Sequence, residues 1–457
     1  IPQETLACSI SFTSMRHGLW LCSRGARKYA RQCWTSTQPS SPVAWCDFER
    51  PRTLLLLDAA LAPTRLRHLH VLELRSLARA MGAQLKPLTG ENGWIWMVMA
   101  DDIDTEHDVA HKLASEATPL RGVLLNAVFG VDATELINVA KRSHTQRGRW
   151  TLRRECGGTR KSSQGDQGAG RSSTIALAAA LGSALGGIPV VDGDAQCELA
   201  LIGFVRAKQS NSYLLGLWRS ADAPQRWSRT FTNWQGRPFH FTGGLDLRIS
   251  ESVLMLALAP LLGFANRSNF FLLDPCCGSG TSLLSALNRC RVPEIMIGFD
   301  SNPTHLNGAL QNLKHVRDAD GANLEITQEP AGACPNHVAA AQEHVHATSV
   351  YLAVRDAARG ASLTALLTPT DAGRWLVGVA NLSWGRKQTM SVEQMEQVLK
   401  GIWATCIEEG VASVCRFCYL IGPNIDAELL FAASGWRILE GPAKIYRSNN
   451  FDSGGPK

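Results

Sequence analysis

The chain has 457 residues, 45% of them hydrophobic and 19% charged, with a net charge of +6. That is too long for one ordinary core and too apolar for a disordered chain, so two or three globular domains are expected. The charge favours a polyanionic partner without demanding one. The longest apolar stretches, such as 252–264 with Pro260 inside it, fall short of a bilayer span, so no membrane helix is predicted.

Residues 1–52 read as a leader. From Thr5 to Trp45 there is no acid, while Arg16, Arg24, Arg27, Lys28 and Arg31 stand among serines and threonines. This is the composition of an unstructured leader or a mitochondrial or plastid transit peptide; without such a peptide, a cytoplasmic protein is expected. Folded sequence is predicted from residue 53. Strands are expected at 54–57 and 94–99, an apolar segment at 120–129, and helices at 70–81 and 106–117, the first with Val71, Leu74, Leu77 and Ala78 on one face. Together they suggest a small α/β or α+β domain over 53–140.

Residues 141–173 carry Lys141, Arg142, Arg147, Arg149, Arg153, Arg154, Arg160, Lys161 and Arg171 against only Glu155 and Asp166, with five glycines from Gly157 onward. The segment reads as a basic linker, and Arg147, Arg149, Arg153 and Arg154 are its candidate phosphate contacts. Over 174–235, a helix at 175–185 and strands at 197–205 and 213–218 are predicted. From 236 to 450 the pattern becomes regular. Apolar runs at 270–273, 294–299, 350–355, 375–380 and 411–421 alternate with helical intervals, the pattern of a Rossmann-like α/β domain with a mostly parallel sheet. The polar stretch 318–348 reads as a surface insertion.

Thirteen cysteines, two of them adjacent at Cys276 and Cys277, suit a reducing compartment. Cys415 and Cys418 lie three apart in a predicted strand and so point to opposite faces, which argues against zinc; no metal site is predicted.

The most informative segment is Asp274-Pro275-Cys276-Cys277-Gly278-Ser279-Gly280-Thr281, between a predicted strand and a helix. A glycine loop there lets backbone approach a ligand and aims a helix N-terminus at it. A dinucleotide fingerprint would need a third glycine where Leu283 stands, which counts against a nicotinamide cofactor. The next strand ends in Asp300-Ser301, placing an acid where ribose hydroxyls would lie. The third ends in Arg355-Asp356-Ala357, with an acid in reach of an adenine amino group. Candidate cofactor contacts are therefore Asp274, Cys276, Gly278, Ser279, Gly280, Thr281, Asp300, Ser301, Asp356 and Ala357.

The loop 274–281 resembles the DPxCGSGT loop of the THUMP-containing RNA methyltransferases, and 298–303 resembles their GxDxNP segment. Arg237-Pro238 and the apolar positions up to Leu256 are similar to a segment that precedes the loop in that family, so the likeness spans about 236–447. It implies a class I methyltransferase domain using S-adenosylmethionine. Asn381-Leu382-Ser383-Trp384 resembles the [DN]-x-P-[YFW] strand end of enzymes that methylate exocyclic amino groups. There, Asn381 Oδ1 and the Leu382 carbonyl would accept the amino hydrogens and favour the pyramidal, nucleophilic nitrogen, and Trp384 would stack on the base. Arg386 and Lys387 would grip phosphates. Ser383 departs from the family's proline, which leaves the turn less stiff or marks a diverged, non-catalytic relative.

Residues 54–82, with His70 and 74–78, resemble the domain that precedes THUMP in tRNA guanine-N2 methyltransferases, and 174–204 is similar to a degenerate THUMP. The resemblance implies an enzyme that methylates guanosine N2 in tRNA or another structured RNA, and in eukaryotes a small zinc-ribbon activator subunit. Methylation of another RNA, of DNA or of a protein amide nitrogen fits the same constellation.

Overall fold

The computed structural model describes residues 5–12, 17–24, 51–57, 66–88, 95–130, 134–138, 149–156, 179–181, 183, 188–189, 197–206, 210–241, 244–262, 270–287, 289, 293–320, 324–329, 348–360, 375–382, 390–405, 414–421 and 426–440. The chain divides into two units. One comprises 1–33, 64–77 and 226–457, and the other 34–63 and 78–225.

The chain opens with β1 (Thr5–Phe12), β2 (His17–Arg24), β3 (Arg52–Leu57) and α1 (Arg67–Ala80). There follow β4 (Gln84–Pro87), β5 (Ile95–Met99), α2 (Ile103–Glu116) and β6 (Leu120–Gly130). Next come β7 (Arg149–Cys156), β8 (Ile188–Pro189), β9 (Cys197–Arg206) and β10 (Ser210–Ser220). The remainder is α3 (Ala223–Gly236), α4 (Leu247–Leu262), β11 (Phe270–Asp274), α5 (Thr281–Leu287), β12 (Ile295–Asp300), α6 (Pro303–Asp320) and β13 (Leu324–Gln328). It closes with β14 (Thr348–Val354), β15 (Trp375–Asn381), α7 (Val392–Trp403), β16 (Val414–Ile421), α8 (Ala427–Ala433) and β17 (Ile438–Glu440).

The larger sheet runs β13-β14-β12-β11-β15-β16-β1-β17-β2. From β13 to β1 every neighbouring pair is parallel. Such strands are covered on both faces, which is why they read as unbroken apolar runs. On one face Phe271, Ile297, Phe299, Tyr351 and Tyr419 pack with Met395, Val398, Leu399 and Ile402 of α7 and with Leu430 and Phe431 of α8. On the other, Gly298 lies against Leu283 of α5 and Leu352. Gly378 leaves room for the Phe417 ring, which an added Cβ would meet at 2.0 Å. Helix α7 starts with a capping box between Ser391 and Gln394, and α8 starts at Asp426, whose carboxylate accepts from Leu429 N.

The other sheet runs β4-β5-β3-β6-β10-β9-β7-β8 and is antiparallel except at β9, β7 and β8. Where β6 meets β10 the register shifts between Leu215 and Leu217, and nearby Asn126 takes a φ of 51°. This is the conformation of an extra residue in a bulge, which asparagine tolerates better than most. Asp102 caps α2, accepting from Thr105 N at 2.7 Å.

Several expectations change. Residues 141–173 are not simply a linker, because β7 lies in the sheet there, parallel to β9. Trp150 and Leu152 alternate with Arg149, Thr151 and Arg153, and the charges hid a period-2 pattern. The expected boundaries at 140 and 174 fall inside one sheet, since β6 pairs β10 and β10 pairs β9. The insertion at 318–348 contains β13, whose Leu324 and Ile326 were too few to register as a strand. Residues 1–52, read as a leader, contribute β1 and β2 to the larger sheet. Among the described residues, no helix is long and apolar enough to cross a membrane.

Candidate cofactor site

Strand β11 is the hinge of the parallel sheet. Its successor β12 lies on one side and β15 on the other, so the strand order reverses there, and ligands of open α/β sheets sit beyond the carboxyl edge of such a point. The loop that follows β11 occupies this edge. Gly278 and Gly280 have φ of 54° and 79°, left-handed values that favour glycine. A Cβ at Gly280 would stand 3.2 Å from the Ala309 Cβ, so the loop is pressed against α6. At Gly278 the nearest atom to an added Cβ is Phe241 Cδ1 at 3.9 Å, leaving that side of the backbone open.

Asp274 is buried and braces the loop from below. Oδ1 accepts from Cys276 N at 3.0 Å, and Oδ2 accepts from Ser282 Oγ. Burial pushes its pKa up to about 7, against the pull of those two hydrogen bonds and with help from the Asp300 charge. Burial also raises both the Cys276 and Cys277 thiols, Asp274 and Asp300 adding to the effect. They therefore stay protonated, as packing groups rather than nucleophiles.

Asp300 links the ends of two strands. Oδ2 accepts from Gly278 N at 2.9 Å, Oδ1 accepts from Asn302 N at 2.8 Å, and His305 Nδ1 lies 3.5 Å from Oδ1. Asp356 caps the turn of 3₁₀ helix at 357–359, accepting from Ala358 N at 3.0 Å. Ser279 and Thr281 are buried, Cys276 and Ala357 are half-buried, and Ser301 is exposed. The Ser279 hydroxyl is buried without a hydrogen-bond partner among the described residues.

Asn381 ends β15, the strand beside β11, and is half-buried. Leu382 is buried, with its N–H donated to the Leu420 carbonyl at 3.0 Å. The structure thus gathers the acids and glycines of β11 and β12 at one edge, with Asp356 and Asn381 at the ends of β14 and β15 on either side. Ser383, Trp384, Arg386, Lys387 and Arg147 lie outside the described residues. Arg149, Arg153 and Arg154 lie on β7, in the other unit.

Sequence reasoning missed Asn312. Fully buried on α6, it accepts from Phe239 N at 3.0 Å and donates to the carbonyls of Phe239 and Ser279 at 3.1 and 3.0 Å. One side chain therefore ties the segment before α4 to the glycine loop. A signal was present: Leu306, Leu310 and Leu313 recur at helical spacing, Asn312 adjoins the last of them, and a polar residue bordering such an apolar face needs partners. His305, whose ring lies tilted against Phe241 at 4.2 Å between centroids, was missed as well.

No protein-family model matches the sequence, and no curated protein matches it. Among solved structures, the chain is similar to TrmN from Thermus thermophilus at 15% identity, over 77% of this chain and 85% of that one, with a TM-score of 0.33. It is similar to SMU.472, solved in complex with SAH, at 10% identity over 88% and 99% of the two chains, with a TM-score of 0.32. A 4-thiouridine synthetase solved with RNA and bound ATP aligns at 12% identity over 60% of each chain, with a TM-score of 0.27. Scores this low carry no weight, and the α/β fold stands on strand order, register and loop geometry.

Proposed function

We propose that the unit holding the parallel sheet binds S-adenosylmethionine and transfers its methyl group to an exocyclic amino nitrogen in RNA, with N2 of a tRNA guanosine as the acceptor. One observation carries the reading. The Asp300 carboxylate bridges Gly278 N of the glycine loop and Asn302 N at the head of α6, which fixes an acid beside the open backbone of Gly278. Each Asp300 oxygen accepts one backbone bond there and retains capacity for a ribose hydroxyl.

The residues present fit such a cofactor. Gly278 offers close approach, the buried Ser279 hydroxyl has unmet capacity, and Asp356 stands one strand beyond Asp300 for the adenine amino group. When bound, the cofactor supplies a methyl group on a cationic sulfur. This chain's part is to position the acceptor. A base amino nitrogen is a weak nucleophile because its lone pair is delocalised into the ring. Asn381 Oδ1 and the Leu382 carbonyl would accept its two hydrogens and favour the pyramidal form, so alignment does most of the work and no strong base is needed. In this proposal Trp384 stacks on the base, Arg386 and Lys387 hold neighbouring phosphates, and Arg147, Arg149, Arg153 and Arg154 contact RNA from the other unit.

The test is incubation of the protein with labelled S-adenosylmethionine and unmodified tRNA, then nucleoside mass spectrometry. Labelled N2-methylguanosine is the expected product. Label in a different nucleoside would correct the acceptor, and label in protein or DNA but not RNA would overturn the substrate class.

A further inference from the structure

Away from the glycine loop, α3 ends in an arrangement that the proposed chemistry does not use. Trp227, Phe231 and Trp234 stack along one side of the helix, with ring centroids 5.4 and 6.2 Å apart. The Arg237 guanidinium lies over the Trp234 ring, 3.8 Å from Cζ to the centroid. Arg237 Nη1 donates to the Trp234 carbonyl, closing the helix end. Two donors remain: Arg237 Nε and Trp234 Nε1 are both buried and have no acceptor among the described residues.

That is a costly pair to leave unmet, because arginine cannot shed its proton. Burial holds the Arg237 pKa below the usual arginine value. The chain around it is open and basic. Gly236 and Pro238 are exposed, and a Cβ at Gly236 would meet only His315 Nε2, at 3.4 Å, which brings an imidazole from α6 to the same spot. Residues 223–245 carry Arg226, Arg229, Arg237 and His240 and no acid.

We propose that Arg237, Trp234 and His315 form a phosphate-binding site that takes a phosphodiester of the RNA substrate. The guanidinium fork matches phosphate oxygens, its stack on Trp234 holds it in orientation, and the indole N–H supplies a further donor. The class of ligand follows from the two unmet donors, and its identity as RNA rests on the proposed function. Asn312 connects this corner to the cofactor loop through Phe239 and Ser279, so a phosphate held here would be fixed relative to the cofactor.

The experiment measures affinity for unmodified tRNA across a salt series, and for inorganic phosphate alone, in wild type, Arg237→Gln and Trp234→Phe. Arg237→Gln should lower the slope of log K against log salt by about one and weaken tRNA binding about tenfold. Trp234→Phe keeps the ring and should cost severalfold in affinity at an unchanged slope. Cofactor affinity and melting temperature should match wild type in Trp234→Phe, which carries the test alone if Arg237→Gln fails to fold. Wild-type slope in a folded Arg237→Gln, or wild-type tRNA affinity in Trp234→Phe, would overturn the site. Inorganic phosphate binding that Arg237→Gln abolishes while tRNA binding is untouched would make this a free-anion site and overturn the RNA assignment. Wild-type protein that binds S-adenosylmethionine but no RNA would defeat the RNA-methyltransferase reading, and this site with it; tRNA binding unaltered in both variants would defeat the site alone.

Discussion

The two sheets use glycine under aromatic rings in the same way and use their strand ends differently. Gly378 makes room for Phe417 in the parallel sheet, and Gly122 makes room for Trp218 in the mixed one, where an added Cβ would lie 2.4 Å from the ring. The parallel sheet goes further: its strands end together at one edge, where Gly278 and Gly280 turn left-handed and Asp300 accepts the loop's N–H. In the mixed sheet the comparable irregularity is the bulge near Asn126, in the middle of a strand pair. A bulge re-aims a ladder, whereas a row of strand ends makes a ligand edge.

Matched substitutions break that comparison most forcefully. Gly378→Ala and Gly122→Ala each force a methyl group into a ring, and each should cost about 1–3 kcal/mol in denaturant unfolding. Only Gly378→Ala should also weaken S-adenosylmethionine binding, read by calorimetry. Equal loss of cofactor affinity in both variants would erase the distinction between the sheets.

Next in size is the acceptor position. Asn381→Ala should slow single-turnover methyl transfer by about tenfold or more while leaving cofactor affinity near wild type, because the contact is made to the acceptor and not to the cofactor. Equal single-turnover rates would remove Asn381 from the site.

Two buried groups of the same unit should bend stability with pH in opposite directions. His70 is fully buried with neither ring nitrogen partnered among the described residues, and burial, then the Arg248 charge, hold its pKa down to about 3. A depressed histidine leaves the unfolded chain with more protons, so its contribution is present above about 6.5 and is lost as pH falls from there toward 3. Asp274 is raised from 3.8 to about 7, so the native state holds the proton and stability is lost as pH rises through that interval. Between about pH 4 and 6.5 the two oppose each other at roughly 1.4 kcal/mol per pH unit each. His70→Leu should therefore leave stability falling as pH rises, and Asp274→Asn should leave it falling as pH drops. Parallel pH profiles for both variants would contradict the assignment.

The smallest effect belongs to the arginines of β7 and to Arg147, which precedes that strand in sequence. Replacing Arg147, Arg149, Arg153 and Arg154 with Gln should flatten the salt dependence of RNA binding by about one per lost phosphate contact, with cofactor affinity unchanged. An unaltered slope would remove those arginines from the RNA interface.

The parallel sheet was legible because burial on both faces forces continuous apolar runs, and because a left-handed turn favours glycine at particular places. Hence 270–273, 294–299 and 375–380 read as strands, and Gly278, Gly280 and Asp300 stood out. Strand β7 escaped notice because its arginines outweigh Trp150 and Leu152 in composition, and β4 because Gln84–Pro87 is short and closes with a proline. The partners of Asn312 were hidden for another reason, although its place beside an apolar helix face shows that it needs them. Its three hydrogen bonds reach residues 33 and 73 positions away, and no local pattern encodes partners at that distance.

The central claim is that the strand-end acid and the glycine loop form one cofactor site, and calorimetry of S-adenosylmethionine binding to Asp300→Ala tests it most directly. The carboxylate makes charge-assisted hydrogen bonds to Gly278 N and Asn302 N and would accept the ribose hydroxyls, so its removal should weaken binding by about tenfold or more in a protein that still unfolds cooperatively. Wild-type affinity in a folded Asp300→Ala protein would contradict the account.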